Sequence, residues 1–168
     1  EHRIAIEAVG DVLWADVDPR AVTRIFINLL SNAIKFTDEG GITVRVRQEA
    51  PDLTIQAAKA LPPDAVRLHF EVEDTGVGIA IEELSVLFDP FVQTASGQES
   101  KEGTGLGLPI SQEYINLLGG EITVDSTEGY GSIFQFEIYV VPVDTSEVKV
   151  EPSKGRVIGL EPGQPTYR

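Results

Sequence analysis

The spacing of hydrophobic and polar residues along the chain predicts an alternation of strands and helices. Alternate positions are apolar in several segments, as is typical of half-buried strands. The five segments predicted to be strands are 3–8, 42–47, 66–73, 121–126 and 132–141. The pattern also favours a short strand over 12–16, which holds the only tryptophan, Trp14.

A long helix is predicted to begin at Asp18 and Pro19. An Asp at the cap position and a Pro at the first helical position favour a helix start. Helical periodicity continues to Phe36, and the glycines of 37–41 are expected to end the helix. Two shorter helices are expected at 81–88 and 106–118.

The remaining segments are predicted to be loops. Residues 50–64 contain three prolines without a clean period, so we expect an elaborated loop with a helical turn at 56–60. Residues 94–104 are polar and are expected to be mobile. We therefore predict one domain over 1–141 and a tail or linker over 142–168. The order of the elements favours an α+β fold with a mixed, mostly antiparallel sheet and helices on one face.

Composition narrows the class of protein. The chain has 168 residues, no Cys and a formal net charge of −14, and it is long enough to bury one apolar core. An acidic domain is a poor binder of nucleic acid or of anionic membranes, and a chain without Cys forms no disulfide or thiolate metal site. No apolar run could span a bilayer and no signal peptide is evident, so we expect a cytoplasmic domain without direct membrane contact. Because the chain begins with Glu1, we expect it to be a piece of a longer protein.

The first candidate for chemistry is a narrow polar stripe on the long helix. Asn28, Asn32 and Lys35 fall within an arc of roughly 60° at the helical rotation of about 100° per residue. Apolar residues, Ile27 and Ile34 among them, cover most of the remaining surface, which predicts a largely buried helix. An amide oxygen suits Mg²⁺, and a lysine can meet a phosphate as a point charge. A solvated helix edge is the alternative interpretation.

Two glycine-rich segments are further candidates. Asp74 is expected to end a strand and begins the motif D-T-G-V-G-I. A carboxylate only accepts hydrogen bonds, so it can select the amino group of adenine over the carbonyl of guanine. The motif G-T-G-L-G-L at 103–108 precedes a helix, where exposed N–H groups favour a polyphosphate. Its spacing is neither that of the dinucleotide fingerprint nor that of the P-loop. Taken alone, an ordinary turn is the better explanation of the first motif and a flexible loop that of the second.

The order of the motifs is more specific than any one of them. The run N-L-L-S-N-A-I-K-F at 28–36 is followed by D-T-G-V-G-I, by L-F-D-P-F at 87–91 and by G-T-G-L-G-L. This order resembles the N, G1, F and G2 boxes of the histidine-kinase catalytic and ATP-binding domain, in the GHKL superfamily. The resemblance covers about residues 3–141. It implies the Bergerat fold, a two-layer α/β sandwich, and a domain that binds ATP and Mg²⁺.

The resemblance also implies a role for each motif residue. On the long helix, Asn32 corresponds to the Mg²⁺ ligand, Asn28 lies near the metal and the phosphates, Lys35 contacts phosphate, and Phe36 lies beside the nucleotide. Asn28, Asn32 and Lys35 are the implied catalytic set.

The G1 box is implied to bind the base. Asp74 corresponds to the acceptor for the adenine amino group, Gly76 and Gly78 leave room for the base, and Ile79 packs near it.

The resemblance implies that residues 94–104 form a lid over the bound ATP. Phe88 and Phe91 are implied to anchor the start of the lid, and Lys101 is a candidate lid cation. The residues implied at the phosphate-binding end of the lid are Gly103, Thr104, Gly105, Leu106 and Gly107.

The acceptor of the phosphoryl group is expected outside this chain. ATP-hydrolysing members carry Glu at the position of Asn28, and an amide cannot act as a general base, so transfer is favoured over hydrolysis. His2 and His69 are the only histidines, and neither lies in an acceptor-like motif. The resemblance therefore implies that a helical dimerisation domain of the parent chain supplies the acceptor.

The resemblance further implies a receiver domain or response regulator as a second partner, and a monomeric fragment. A GHKL-type ATPase, a serine kinase of the anti-sigma type and a nucleotide-binding regulatory module without kinase activity are the alternatives.

Overall fold

A computed structural model describes residues 2–9, 14–93 and 104–143. Its elements in chain order are β1 (His2–Val9), α1 (Pro19–Phe36), β2 (Gly40–Glu49), α2 (Leu53–Ala58), β3 (Val66–Asp74), α3 (Ile81–Leu84), α4 (Gly107–Leu117), β4 (Glu121–Thr127) and β5 (Gly131–Val140). Among the described residues, no helix combines the length and the apolar character that crossing a membrane requires.

The strands form one five-stranded sheet in the order β1-β2-β3-β5-β4. β1 runs parallel to β2, and the other three pairings are antiparallel. The predicted α+β fold with a mixed, mostly antiparallel sheet is confirmed.

Alternation along the strands separates the two faces of the sheet. Side chains of one parity pack with α1 and α4 into a single core, whose buried members include Ile25, Leu29, Ile42, Phe70, Val72, Ile115, Phe134, Phe136 and Ile138. The opposite face is polar and charged. There the Arg45 guanidinium donates hydrogen bonds to Glu7 at 2.9 Å, to Glu73 at 2.6 Å and to Glu71. Asp74 shares the parity of Phe70 and Val72, so the end of β3 places a carboxylate on the core side.

Helix α1 follows its predicted limits but not its predicted burial. The Asp18 side chain accepts a hydrogen bond from the backbone N–H of Arg20 at 2.8 Å, and Pro19 opens the helix. The helix buries one stripe, consisting of Ala21, Ile25, Leu29 and Ala33. Ile27 is 61% exposed and Ile34 is 44% exposed, so the prediction of a largely buried helix is wrong. The sheet covers only one side of the helix, and hydrophobicity alone does not show which isoleucines it reaches.

Three other segments differ from prediction. In 12–16, Ala15 makes a single bridge to Pro142, and the described part of this segment forms no strand; residues 12 and 13 lie outside the described ranges. The helical turn expected at 56–60 is the helix α2, which begins earlier because Asp52 caps the N–H of Thr54 at 2.7 Å. The helix expected over 81–88 continues only to Leu84 and is followed by turns.

Two predictions fall largely on residues that the structure does not describe. The expected mobility of 94–104 concerns a segment of which only Thr104 is described, and the expected tail over 142–168 is described only to residue 143.

Candidate functional site

A cavity of about 250 Å³ lies between α1, the end of β3 and the start of α4. The predicted site residues that line it are Asn28, Asn32, Lys35, Phe36, Asp74, Gly78, Ile79, Thr104, Gly105 and Gly107. The cavity therefore brings together residues from three separate sequence motifs.

The polar stripe of α1 forms one wall. The amide Nδ2 of Asn28 donates a hydrogen bond to the hydroxyl of Ser111 on α4 at 2.9 Å. A Cβ atom at Gly107 would lie 2.1 Å from Asn28 Oδ1, so a side chain at this position would displace the Asn28 amide. The Lys35 ammonium lies 5.0 Å from the centroid of the Phe36 ring. This wall offers amide oxygens and one cation to a ligand.

Asp74 supplies a buried carboxylate at the other side of the cavity. Asp74 is 7% exposed, and its Oδ1 accepts a hydrogen bond from the backbone N–H of Gly76 at 2.8 Å. Burial raises the pKa of Asp74, while hydrogen bonds from the backbone N–H groups of Gly76 and Ser132 act in the opposite direction. A carboxylate held in this way can accept a hydrogen bond from a ligand amino group.

The loop after Asp74 is held against neighbouring elements. Gly78 has φ of 68°, and a Cβ there would lie 2.1 Å from the carbonyl oxygen of Thr127. The N–H of Ile79 donates to Ser126 Oγ at 2.8 Å, which fixes Ile79 beside the β4–β5 hairpin. Gly76 does not line the cavity: a Cβ there would lie 2.1 Å from the Phe36 carbonyl oxygen, so this glycine lets the loop pass the end of α1.

Residues that flank the predicted lid on either side meet in the structure. The N–H of Phe91 donates to the carbonyl of Gly105 at 3.0 Å, and both residues have positive φ, 66° and 68°. Phe88 packs against the core and does not line the cavity. Leu106 occupies the N-cap position of α4 and does not line the cavity either. Gly103 and Lys101 lie outside the described residues.

Several lining residues were missed by the sequence predictions. They are Leu87, Val92, Gln93, Leu108, Pro109, Ser132 and Phe134. Ser132 is the register partner of Asp74, so the parity of β5 would have indicated Ser132 and Phe134 had this long-range pairing been known. Leu87 and Leu108 lie within two of the four motifs but were given no role, and Val92, Gln93 and Pro109 lie outside the motifs.

A second, more open cavity adjoins the first. Its volume is about 700 Å³, and it is lined by Pro19, Arg20, Thr23, Arg24, Ile27, Asn28, Ser31, Gly107, Ile110 and Ser111. Asn28 and Gly107 line both cavities, so they form the boundary between them. We refer to this second space as the outer cavity.

The residues present fit Mg²⁺ only in combination with a ligand. Among the described residues, no group of three His, Asp or Glu side chains could hold a metal. The amides of Asn28 and Asn32 offer neutral oxygen atoms at the cavity wall. Mg²⁺ commonly binds few protein ligands and takes phosphate oxygens and water for the rest, which matches this donor set.

Comparison with known proteins places the chain among histidine kinases and related ATPases. The profile described as histidine kinase-, DNA gyrase B-, and HSP90-like ATPase matches residues 17–142. Hybrid signal transduction histidine kinase B of Dictyostelium discoideum is 43% identical over 122 residues, which are 72% of this chain and 6% of the relative. Sensor histidine kinase RcsC of Escherichia coli strain K12 is also 43% identical over 122 residues, 72% of this chain and 11% of the relative.

A solved structure shares the fold. The crystal structure of full-length ShkA in complex with AMPPNP superposes with a TM-score of 0.65 at 28% identity, covering 84% of this chain and 26% of ShkA. The chain thus spans a small part of the length of the relatives that it matches. The resemblance of its four boxes to those of histidine kinases is confirmed. The chain belongs to the histidine kinase-, DNA gyrase B- and HSP90-like ATPase family.

Proposed function

We propose that the chain is a catalytic unit that binds Mg-ATP between α1 and the sheet and transfers the γ-phosphoryl group to a histidine on a separate helical domain. One observation carries this proposal: a single cavity gathers a buried carboxylate, a stripe of two amides and one ammonium, and a glycine turn at the start of α4. Membership of the ATPase family and the kinase relatives support the same assignment.

Asp74 is the proposed determinant of the base. Because the residue is 7% exposed, water competes poorly for its carboxylate. The adenine amino group donates to this carboxylate, whereas guanine would present a carbonyl to it. Ile79 and Gly78 line the same part of the wall, where a flat ring needs apolar contact and space. This part of the proposal accounts for selection of adenine.

The α1 stripe and the glycine turn are the proposed seat of the phosphates. Lys35 provides a positive charge, and Gly105 and Gly107 allow a phosphate to approach the backbone at the positive end of α4. Mg²⁺, held by Asn32 with Asn28 nearby, would offset phosphate charge that a domain of net charge −14 otherwise repels. Catalysis in this site is mainly positioning and charge stabilisation.

The chemical step is a transfer to nitrogen. A nitrogen of the acceptor imidazole forms a bond to the γ-phosphorus while the bond from that phosphorus to the bridging oxygen breaks, which releases ADP; the imidazole proton passes to solvent. Asn28 cannot take a proton from water near neutral pH, so the site favours this transfer over hydrolysis. This argues against the alternative of an efficient ATPase.

The acceptor is proposed to come from outside the domain of residues 1–141. His69 pairs in register with Arg47 and Glu137 on the charged face of the sheet, away from the cavity wall. The outer cavity adjoins Asn28 and Gly107, so a helical domain seated there could present a histidine to the nucleotide. Residues 142–168 are then a linker, with a receiver domain or a response regulator as the next partner.

Nucleotide uptake and transfer test this function separately. Calorimetric titration of the chain with AMPPNP and Mg²⁺ should show binding that Asn32→Ala weakens, with the exposed Asn116→Ala as the matched control. With γ-labelled ATP, acid-labile label should appear on an added helical hairpin that bears an acceptor histidine and not on this chain. Label on this chain alone, or hydrolysis that the hairpin does not change, would contradict the proposal.

A further inference from the structure

Ser111 lies outside every motif of the predicted site, yet it contacts one of the site residues directly. It sits on α4, is 2% exposed, and its Oγ accepts a hydrogen bond from Nδ2 of Asn28 at 2.9 Å. The two residues are 83 positions apart in sequence. A buried hydroxyl that meets the side chain of a site residue on another helix can determine how that side chain is oriented.

The opposite end of the Asn28 amide lies beside Gly107. A Cβ at Gly107 would lie 2.1 Å from Oδ1, so this oxygen lies against the α-carbon of Gly107. Gly107 lines the nucleotide cavity, whereas Ser111 lines only the outer cavity. The amide therefore lies across the boundary between the two cavities, with Nδ2 toward Ser111 and Oδ1 toward the glycine turn.

The two orientations of this amide differ chemically. With Oδ1 toward the glycine turn, Asn28 offers an acceptor to a cation or to a water bound to it. After a flip about its χ2 bond, Asn28 would direct an NH₂ group there, and this group repels a cation. The flip exchanges atoms of similar size, so shape alone does not prevent it. The Ser111 hydroxyl does not prevent it either, because it accepts from Nδ2 in one orientation and can donate to Oδ1 in the other. Its hydrogen bond instead fixes the rotamer and the plane of the amide, and a bound cation would select the orientation in which Oδ1 faces it.

We propose that Ser111 is a positioning residue whose hydrogen bond holds the Asn28 amide at the boundary of the cavity, where Oδ1 can face the Mg²⁺ of the bound nucleotide. The proposal rests on the proposed function, because it concerns the metal that accompanies ATP. It assigns to α4 a role beyond its glycine turn, since the second turn of this helix holds one amide of the α1 stripe in place.

The direct test is a double-mutant cycle read by nucleotide binding. AMPPNP is titrated into the chain with Mg²⁺ and with EDTA, for wild type, Ser111→Ala, Asn28→Ala and the double variant. Loss of one hydrogen bond should weaken Mg²⁺-dependent affinity about fivefold in Ser111→Ala, and binding in EDTA should be unchanged. In the Asn28→Ala background, removal of the Ser111 hydroxyl should have no further effect.

Two variants separate this role from a general loss of packing. Ser111→Thr keeps the hydroxyl and should bind AMPPNP with the Mg²⁺ dependence of wild type. Ser85→Ala removes an exposed hydroxyl on another surface and should leave the titrations with Mg²⁺ and with EDTA unchanged. An unchanged Mg²⁺ dependence in Ser111→Ala would overturn the proposal. So would equal weakening with Mg²⁺ and with EDTA, or full additivity with Asn28→Ala.

A measurement without nucleotide distinguishes failure of this proposal from failure of the proposed function. In the ¹⁵N spectrum of the wild-type chain, the side-chain NH₂ of Asn28 should exchange slowly with solvent, and Ser111→Ala should accelerate that exchange. If wild type takes up no nucleotide while this difference is seen, the function fails and the orientation of the amide stands. If exchange is equally fast in both proteins, the positioning role is wrong whatever the titrations show.

Discussion

Substitution of Asp74 by Asn tests the proposed basis of adenine recognition. The change keeps the shape of the side chain and replaces one acceptor oxygen by a donor NH₂ group. Backbone N–H groups of Gly76 and Ser132 already point at this side chain. Whichever way the new amide turns, its NH₂ group must face either a backbone donor or the amino group of adenine.

The magnitude follows from the burial of Asp74. Because the residue is only 7% exposed and a bound base would fill the cavity beside it, little water is left to replace the lost acceptor. A hydrogen bond to a charged group contributes about 1.5–3 kcal/mol, so ATP affinity should fall roughly 10- to 150-fold. Guanine carries an acceptor at the corresponding position, so the affinity for a GTP analogue should be unchanged or increased.

The assay compares two nucleotides on two variants. AMPPNP and GMPPNP are titrated calorimetrically into wild type, Asp74→Asn and Asp125→Asn, the last of which removes the same charge at an exposed strand position. Thermal unfolding checks that each variant is folded. The reasoning is refuted if Asp74→Asn binds AMPPNP as wild type does, or if both nucleotides lose affinity equally in a folded variant.

Three further predictions concern the frame of the site. Gly78→Ala should lower the free energy of unfolding by at least about 1–2 kcal/mol in urea denaturation, because φ is 68° and the new Cβ would lie 2.1 Å from the Thr127 carbonyl oxygen; unaltered stability would contradict this. Phe136→Ala should lower the free energy of unfolding by about 3–5 kcal/mol in the same assay, because the ring is 2% exposed. A decrease below about 1 kcal/mol would mean that the core is not packed as described. Burial alone would raise the pKa of Glu71, but the hydrogen bond and the charge of Arg45 lower it overall. The ionised Glu71 therefore stabilises the folded chain at pH values above its ordinary pKa of 4.5, and this stabilisation is lost as the pH falls through the lowered pKa. Glu71→Gln should therefore destabilise the chain at pH 7 and flatten the acid dependence of stability, and an equally steep dependence in the variant would exclude this role.

Local sequence signals predicted the elements well where short-range chemistry determines them. The start of α1 follows from an Asp cap and a Pro at the first turn, and the structure reproduces it. The helix also ends at Phe36 as predicted, but Thr37 ends it in an extended conformation, and the glycines expected to end it are the first residues of β2. The gathering of Asn28, Asn32 and Asp74 in one cavity was also predictable, but through the resemblance of four ordered motifs rather than through any one motif.

Long-range pairing explains most of what was missed. Ser132 reaches the site because β5 pairs with β3, and no local pattern shows which strands become neighbours. The exposure of Ile27 depends likewise on which side of α1 meets the sheet. Ser111 belongs to no motif, and its hydrogen bond to Asn28 exists only because α1 and α4 pack together.

Mapping of nucleotide binding by NMR tests the central claim most directly. ¹⁵N-labelled chain is titrated with AMPPNP and Mg²⁺, and the shifts of backbone amides are followed. The account predicts saturable shifts at Asn32, Ile79, Gly105 and Gly107, which line one cavity, and none at His69 on the charged face of the sheet. An absence of shifts at any nucleotide concentration, or shifts confined to the charged face, would contradict it.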